Sequence, residues 1–128
     1  MSFSWDDFLD LAIELTENET MKSNEEARLR SSISRAYYSV FCKSRNYLIK
    51  QERKNPPRNS NVHSFVINSY KKDPDIIKRE IGHNLHRLRN YRNKADYNNK
   101  KIYDLNNIAQ ISLFLAEKII INLKNIYH

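Results

Sequence analysis

Arg87-Leu88-Arg89-Asn90-Tyr91-Arg92-Asn93-Lys94-Ala95-Asp96-Tyr97 reads as the end of an amphipathic helix, with an arginine where its buried stripe should continue. At about 100° per residue, Ile77, Ile81, Leu85, Leu88 and Ala95 fall in one arc, and Arg92 falls in the middle of it. A guanidinium keeps its proton inside a protein, so burying it requires a carboxylate, a phosphate or a water-filled cleft. Asp96, four residues on at the arc's edge, is within reach. His86, Asn93 and Tyr97 align along the flank at i, i+7 and i+11. These residues ask for a polar site where this helix meets something else.

The rest of the chain is helical too. It has 128 residues, one Gly and three Pro, and its apolar residues recur at helical rather than alternating spacing. That leaves almost no turn chemistry for hairpins. The expected fold is all-α, an up-and-down bundle of four to five helices in one domain spanning 1–128. A lone cysteine, Cys42, excludes an internal disulfide and suits a reducing compartment. No charged-then-apolar leader precedes Trp5, and the longest apolar run is far short of a membrane span. A cytoplasmic protein without a membrane partner is expected.

The net charge of +7 is unevenly placed. Residues 1–42 carry four basic and eight acidic groups, residues 43–58 sum to +5, and residues 76–101 set eight Lys and Arg against two acids. A basic pole of this kind suits a polyanion, nucleic acid being the commonest; the alternative is a well-solvated surface.

Ser4 followed by Asp7 resembles a capping box, opening a first helix with Phe3, Phe8, Leu9, Ala12 and Leu15; a polar linker follows. A long second helix spans about Asn24 to Lys50, with Leu29, Ile33, Ala36, Tyr37, Val40, Tyr47 and Leu48 as its core stripe. Opposite lie Ser31, Arg35, Tyr38, Cys42, Arg45 and Ile49, neither fully polar nor fully apolar. This face either meets another helix, of this chain or a partner, or stays partly exposed. Gln51 to Asn61 is a basic loop around Pro56-Pro57, and Val62, Phe65, Val66 and Tyr70 make a short third helix. Asp73-Pro74-Asp75 starts the fourth, with Asp73 as cap and proline at the first helical position. Gly82, mid-helix, predicts a close helix crossing, and Asn98-Asn99 ends the helix. From Asp104 the last helix buries Leu105, Ile108, Ala109, Ser112, Leu115, Ala116, Ile119, Leu123 and Ile126, leaving Phe114 and Ile121 off the stripe as singletons or a dimer patch.

Two segments carry a family resemblance. Ser34-Arg35-Ala36-Tyr37-Tyr38-Ser39-Val40-Phe41 resembles an S-R-A-Y-Y-x-x-F signature, and Arg92-Asn93-Lys94-Ala95-Asp96-Tyr97 resembles the R-x-x-A-D-Y that follows it. His63-Ser64 stands where a His-Ser pair commonly opens the third helix. Together they resemble the HEPN domain (higher eukaryotes and prokaryotes nucleotide-binding), in a small stand-alone prokaryotic branch. The resemblance implies a bundle that dimerises around its second and fourth helices. Active members are metal-independent endoribonucleases of toxin–antitoxin, CRISPR and antiphage systems, and their motif is R-x(4–6)-H. Arg92 matches the arginine, but the three positions open to the histidine hold Tyr97, Asn98 and Asn99.

That departure falls on the residue that would move the proton. Cleavage by a ribose 2′-hydroxyl needs a base, an acid for the leaving oxygen, and cations for the developing charge. Arg92 supplies charge. A tyrosine titrates at about pH 10, so Tyr97 can donate a proton but is a poor base. Asp96 serves as base only if Arg92 does not hold it, and His86 is the substitute on the same flank. His83 and His86 would make only half a metal site, so no metal or other cofactor is expected. The competing role for Arg92–Asp96 is an ion pair that fixes helix register. The expected site is thus Arg92, Asp96, Tyr97 and His86 for chemistry, with Arg87, Arg89, Asn93 and Lys94 for the nucleic-acid backbone. Arg35, Tyr38 and Cys42 are expected at a homodimer interface. A cognate antitoxin or a nucleotidyltransferase is a further expected partner, and the alternative function is a non-catalytic module that dimerises, binds nucleotide and docks such a protein. Tyr97 lies about 140° from Arg92 on a straight helix. An intrachain contact therefore requires the helix to unwind near Asp96, as Asn98-Asn99 allows; otherwise the contact is intermolecular.

Overall fold

In a computed structural model, residues 3–17 and 24–127 are described; the polar linker expected after the first helix lies outside them. Among the described residues there are five helices and no strand: α1 (Asp6–Glu17), α2 (Glu25–Gln51), α3 (Val62–Lys71), α4 (Ile76–Tyr97) and α5 (Leu105–Ile126). The three long helices α2, α4 and α5 pack on one another, α1 lies mainly along α2, and α3 mainly along α4. No described helix is long and apolar enough to cross a membrane.

The main core joins Tyr37, Val40 and Leu48 of α2, Val66 and Tyr70 of α3, Ile81, Leu85 and Leu88 of α4, and Ile119 and Leu123 of α5. A smaller core of Leu29, Ile33, Ala95, Ile102, Leu105 and Ala109 closes the end where α4 stops. The expected α5 stripe is buried apart from Ile108 and Ile126, which are half-buried; Leu113 joins it, and Phe114 and Ile121 are exposed.

The second face of α2 is met within the chain only in part: Cys42 is buried, Arg35, Tyr38 and Arg45 are half-buried, and Ser31 and Ile49 are exposed. Ser32 and Ser39, small enough to let α1 approach, donate to the carbonyls of Ala12 and Trp5, each at 2.7 Å. The Arg35 guanidinium lies 5.0 Å from the Phe8 ring, and Arg45 lies 6.0 Å from Trp5. Cys42 is 4% exposed and belongs to the main core. Phe3 precedes α1 rather than joining it, and its ring packs edge-on against Trp5 and Phe8.

Two features of α4 set the site. A Cβ on Gly82 would stand 2.5 Å from the Lys71 backbone nitrogen, so the glycine lets α4 cross tightly over the end of α3, as expected. The start of α4 differs by two residues from expectation. Its cap is Asp75, whose carboxylate accepts the Ile77 N–H at 2.8 Å. Asp73 instead accepts the Asp75 N–H at 2.9 Å, an Asx turn that uses its side chain before the helix begins. At the other end, Arg30 of α2 donates to the carbonyls of Ala95 (3.1 Å), Asn98 and Lys100 (2.7 Å). A cation thus satisfies the orphan acceptors where the helix dipole is negative.

Candidate active site

The buried arc of α4 does contain the arginine. Arg92 is 9% exposed, between Leu88 and Ala95. Its Nη1 donates to Asn93 Oδ1 at 2.9 Å and its Nη2 to the Tyr38 hydroxyl. Nε lies 3.0 Å from Asp96 Oδ2 but makes no aligned hydrogen bond, so that contact is a charge pair rather than a directed bond. The Ser34 hydroxyl donates to the same carboxylate oxygen at 3.2 Å. Asp96 thus stands between Arg92 and Ser34. Three aromatic rings surround the guanidinium, with centroids at 4.8 Å for Tyr38, 5.5 Å for Tyr97 and 5.8 Å for Tyr37.

Tyr97 makes that contact on an unbroken helix. It is the last residue of α4, and only Asn98 turns extended. The unwinding expected near Asp96 does not occur. A helical side chain leans back over the preceding turn, and two long side chains close the angle that Cα positions leave open. Tyr97 is 69% exposed.

A residue to which the spacing argument gave no role completes the cluster. His63, second residue of α3, places Nδ1 2.7 Å from the Tyr37 hydroxyl and stacks on Phe41 at 4.4 Å. Burial, then the charges of Arg89 and Arg92, lower its pKa to about 4, so the imidazole is neutral at neutral pH. Burial likewise pushes the Tyr37 hydroxyl far above the usual tyrosine range, against the pull of the same two arginines. Arg89 approaches α3 through Ser64, Nη1 to Oγ at 3.4 Å, and its buried Nε has no hydrogen-bond partner. Ser34, Tyr37, Tyr38 and Phe41 sit at i, i+3, i+4 and i+7 on α2, one face presented to α3 and α4.

Other expected site residues lie elsewhere. Arg87 and Lys94 are exposed on the side of α4 turned away from Arg92. His86 is exposed and has no hydrogen bond to the cluster among the described residues, nor do three His, Cys, Asp or Glu side chains gather there at metal-binding distance.

The comparison with protein families decides what this arrangement is part of: the HEPN domain matches over residues 7–126. The chain belongs to the HEPN family. At family level it is a nuclease-related, RNA-related or nucleotide-binding module. No curated protein and no solved structure matches the chain. Within this HEPN chain, the S-R-A-Y-Y and R-x-x-A-D-Y segments are the two halves of one cluster, with tyrosines from α2 meeting the arginine of α4. The signal that could have found His63 was its place beside Ser64 at the opening of the third helix.

Proposed function

We propose that this HEPN protein acts on RNA, as a ribonuclease-type toxin or antiphage-defence component with a degenerate R-x4-Y site. The observation that carries the reading is the convergence of two arginines and a neutral imidazole, Arg89, Arg92 and His63, beside an exposed tyrosine. Arg89 and Arg92 hold the scissile phosphate and the charge it gains. His63, a weak base with a pKa of about 4, takes the 2′-hydroxyl proton through Nε2 only as the 2′-oxygen bonds to phosphorus, which requires the tautomer whose Nδ1–H donates to Tyr37. As that bond forms, the bond to the 5′-oxygen breaks, and Tyr97 protonates the leaving oxygen. The products are a 2′,3′-cyclic phosphate and a 5′-hydroxyl. A second copy of the chain is the expected partner, docked along the partly exposed edges of α2 and α4 near Arg35 and Tyr38; sedimentation at micromolar concentration should give twice the monomer mass.

One observation favours a second reading. Arg92 is already engaged by Asp96, Asn93 and Tyr38. A non-catalytic module that binds nucleotide or RNA and docks an antitoxin or a nucleotidyltransferase needs no more than that. The deciding experiment incubates mixed RNA with the protein in EDTA, beside Arg89→Ala, Arg92→Ala and His63→Ala variants whose helicity is checked. Cleavage by wild type that all three lose supports the nuclease. No cleavage by folded wild type sinks it and leaves the module. Tyr97→His restores the family's spacing and should raise any activity, whereas Tyr97→Phe should abolish it.

A further inference from the structure

A second concentration of charge lies one turn beyond the Arg92 cluster. The loop from α2 to α3 folds against α2 and borders an open cavity of about 460 Å³, within the size range of small-ligand sites. Arg45, Lys54 and Arg58 line it, no carboxylate does, and Ile49, Pro57 and Val62 give it an apolar floor. Lys54 keeps only a loose contact with Glu52, at 3.7 Å. Arg45 makes long bonds to its neighbour Asn46, at 3.3 and 3.4 Å, besides its contact with Trp5. Arg58 has no acidic partner among the described residues. The folded chain therefore concentrates three cations around an apolar recess, with a carboxylate near only one of them. That combination fits a phosphate carrying a planar base.

The cavity adjoins the first site along the chain. Val62 lines it, and the next residue is His63. Along α2, Arg45 follows Phe41, the ring under His63, by four residues and Tyr38 by seven, on the same face. Those steps are about 6 and 10 Å along the helix axis, a span that one single strand covers.

We infer that this cavity is a second phosphate subsite for single-stranded RNA, holding the nucleotide next to the one at Arg89 and Arg92, with its base on Ile49 and Pro57. The inference rests on the RNA reading and adds where the strand goes. A duplex does not fit the role, because its stacked bases cannot reach a recessed apolar floor.

The test is anisotropy of a labelled mixed-sequence single-stranded RNA across a salt series. Four proteins are compared: wild type, Lys54→Gln/Arg58→Gln, Arg89→Gln, and Lys118→Gln/Lys124→Gln. The last removes the same charge from α5, which makes no contact with α3 among the described residues. Losing this phosphate contact should lower the salt slope by about 0.7 and weaken binding about tenfold, while the α5 pair stays close to wild type. A wild-type slope and affinity in Lys54→Gln/Arg58→Gln, with Arg89→Gln weakened, overturns the cavity and spares the RNA reading. No salt-dependent binding by wild type overturns both. If the cavity pair weakens adenosine monophosphate but not RNA, the recess takes free nucleotide and the strand path is wrong.

Discussion

Two clusters of charge and tyrosine occupy opposite ends of α4, one against the end of α2 and the other against its middle, and they are built to different balances. Where α2 ends and α4 begins, Glu52 accepts from Lys78 at 3.0 Å and from the Tyr127 hydroxyl, while Lys78 also faces Asp73 at 3.7 Å. Burial pulls the Lys78 pKa down, but Glu52, Asp73 and Asp75 outweigh it and the net shift is upward. The Tyr127 ring stacks on Tyr47 at 4.7 Å, tying the end of α5 to α2. Each charge there meets its opposite, and the cluster closes the bundle. At the other end Arg92 meets Asp96, Arg89 has no carboxylate partner among the described residues, and the histidine beside both arginines stays uncharged. An ion pair with tyrosines is a clamp when its charges cancel. Where they do not, the surplus is available to a ligand.

The largest expected effect tests whether the Arg92 end is also structural. Arg92→Met should cost about 3 kcal/mol, the low end for a broken buried pair because the Asp96 side chain keeps 26% exposure. Urea denaturation measures it. Adding Asp96→Asn should recover part of the loss, since the stranded carboxylate is the main penalty. No recovery would place the cost in lost packing. Next comes Gly82→Ala, which gains about 1 kcal/mol of helix propensity but forces a Cβ into the Lys71 backbone. A net loss of about 2 kcal/mol is expected. Because the crossing sets how near α3 stands to α4, the His63–Arg89 geometry should loosen with it; a stabilised variant would refute the tight crossing.

How much of this was legible depends on sequence distance. Arg92 in a buried arc, its partner Asp96 and the crossing at Gly82 all follow from the period of one helix. Asp73 against Asp75 was a local competition that spacing does not settle, because both can cap and the Asx turn used one of them. Contacts across the fold were beyond periodicity. Tyr37 meets His63, Arg35 meets Phe8, and Arg30 caps a helix some seventy positions away, each pairing chosen by how the helices pack. Cys42 shows the same limit. Spacing leaves its face open between helix contact and partial exposure, and only the packing of the folded chain buries Cys42 while leaving Ile49 exposed.

A smaller effect belongs to the balanced end. Glu52→Gln leaves a hydrogen-bonding group for Tyr127 but removes the charge opposite Lys78, and should cost about 1 kcal/mol. Raising salt should shrink that difference. If Glu52→Gln costs as much as Arg92→Met, the contrast between a shared, partly exposed clamp and a buried arginine is wrong.

The last effect is the most specific, because it tracks one proton. His63 in the folded chain takes up its proton only near pH 4, whereas an imidazole in the unfolded chain does so near about 6.5. Between those values the unfolded state binds more protons, so stability rises with pH across the window. The contribution is complete above about 6.5 and drains away as the pH falls toward 4. His63→Gln keeps an acceptor for Tyr37 and cannot titrate. Its urea midpoint should therefore fall less than wild type's between pH 7 and pH 4.5, while the carboxylates and the exposed His83 and His86 affect both proteins alike. Parallel curves would mean that His63 is not held neutral by burial and its two arginines. The Arg92 end would then lose the uncharged imidazole on which its difference from the Glu52 clamp depends.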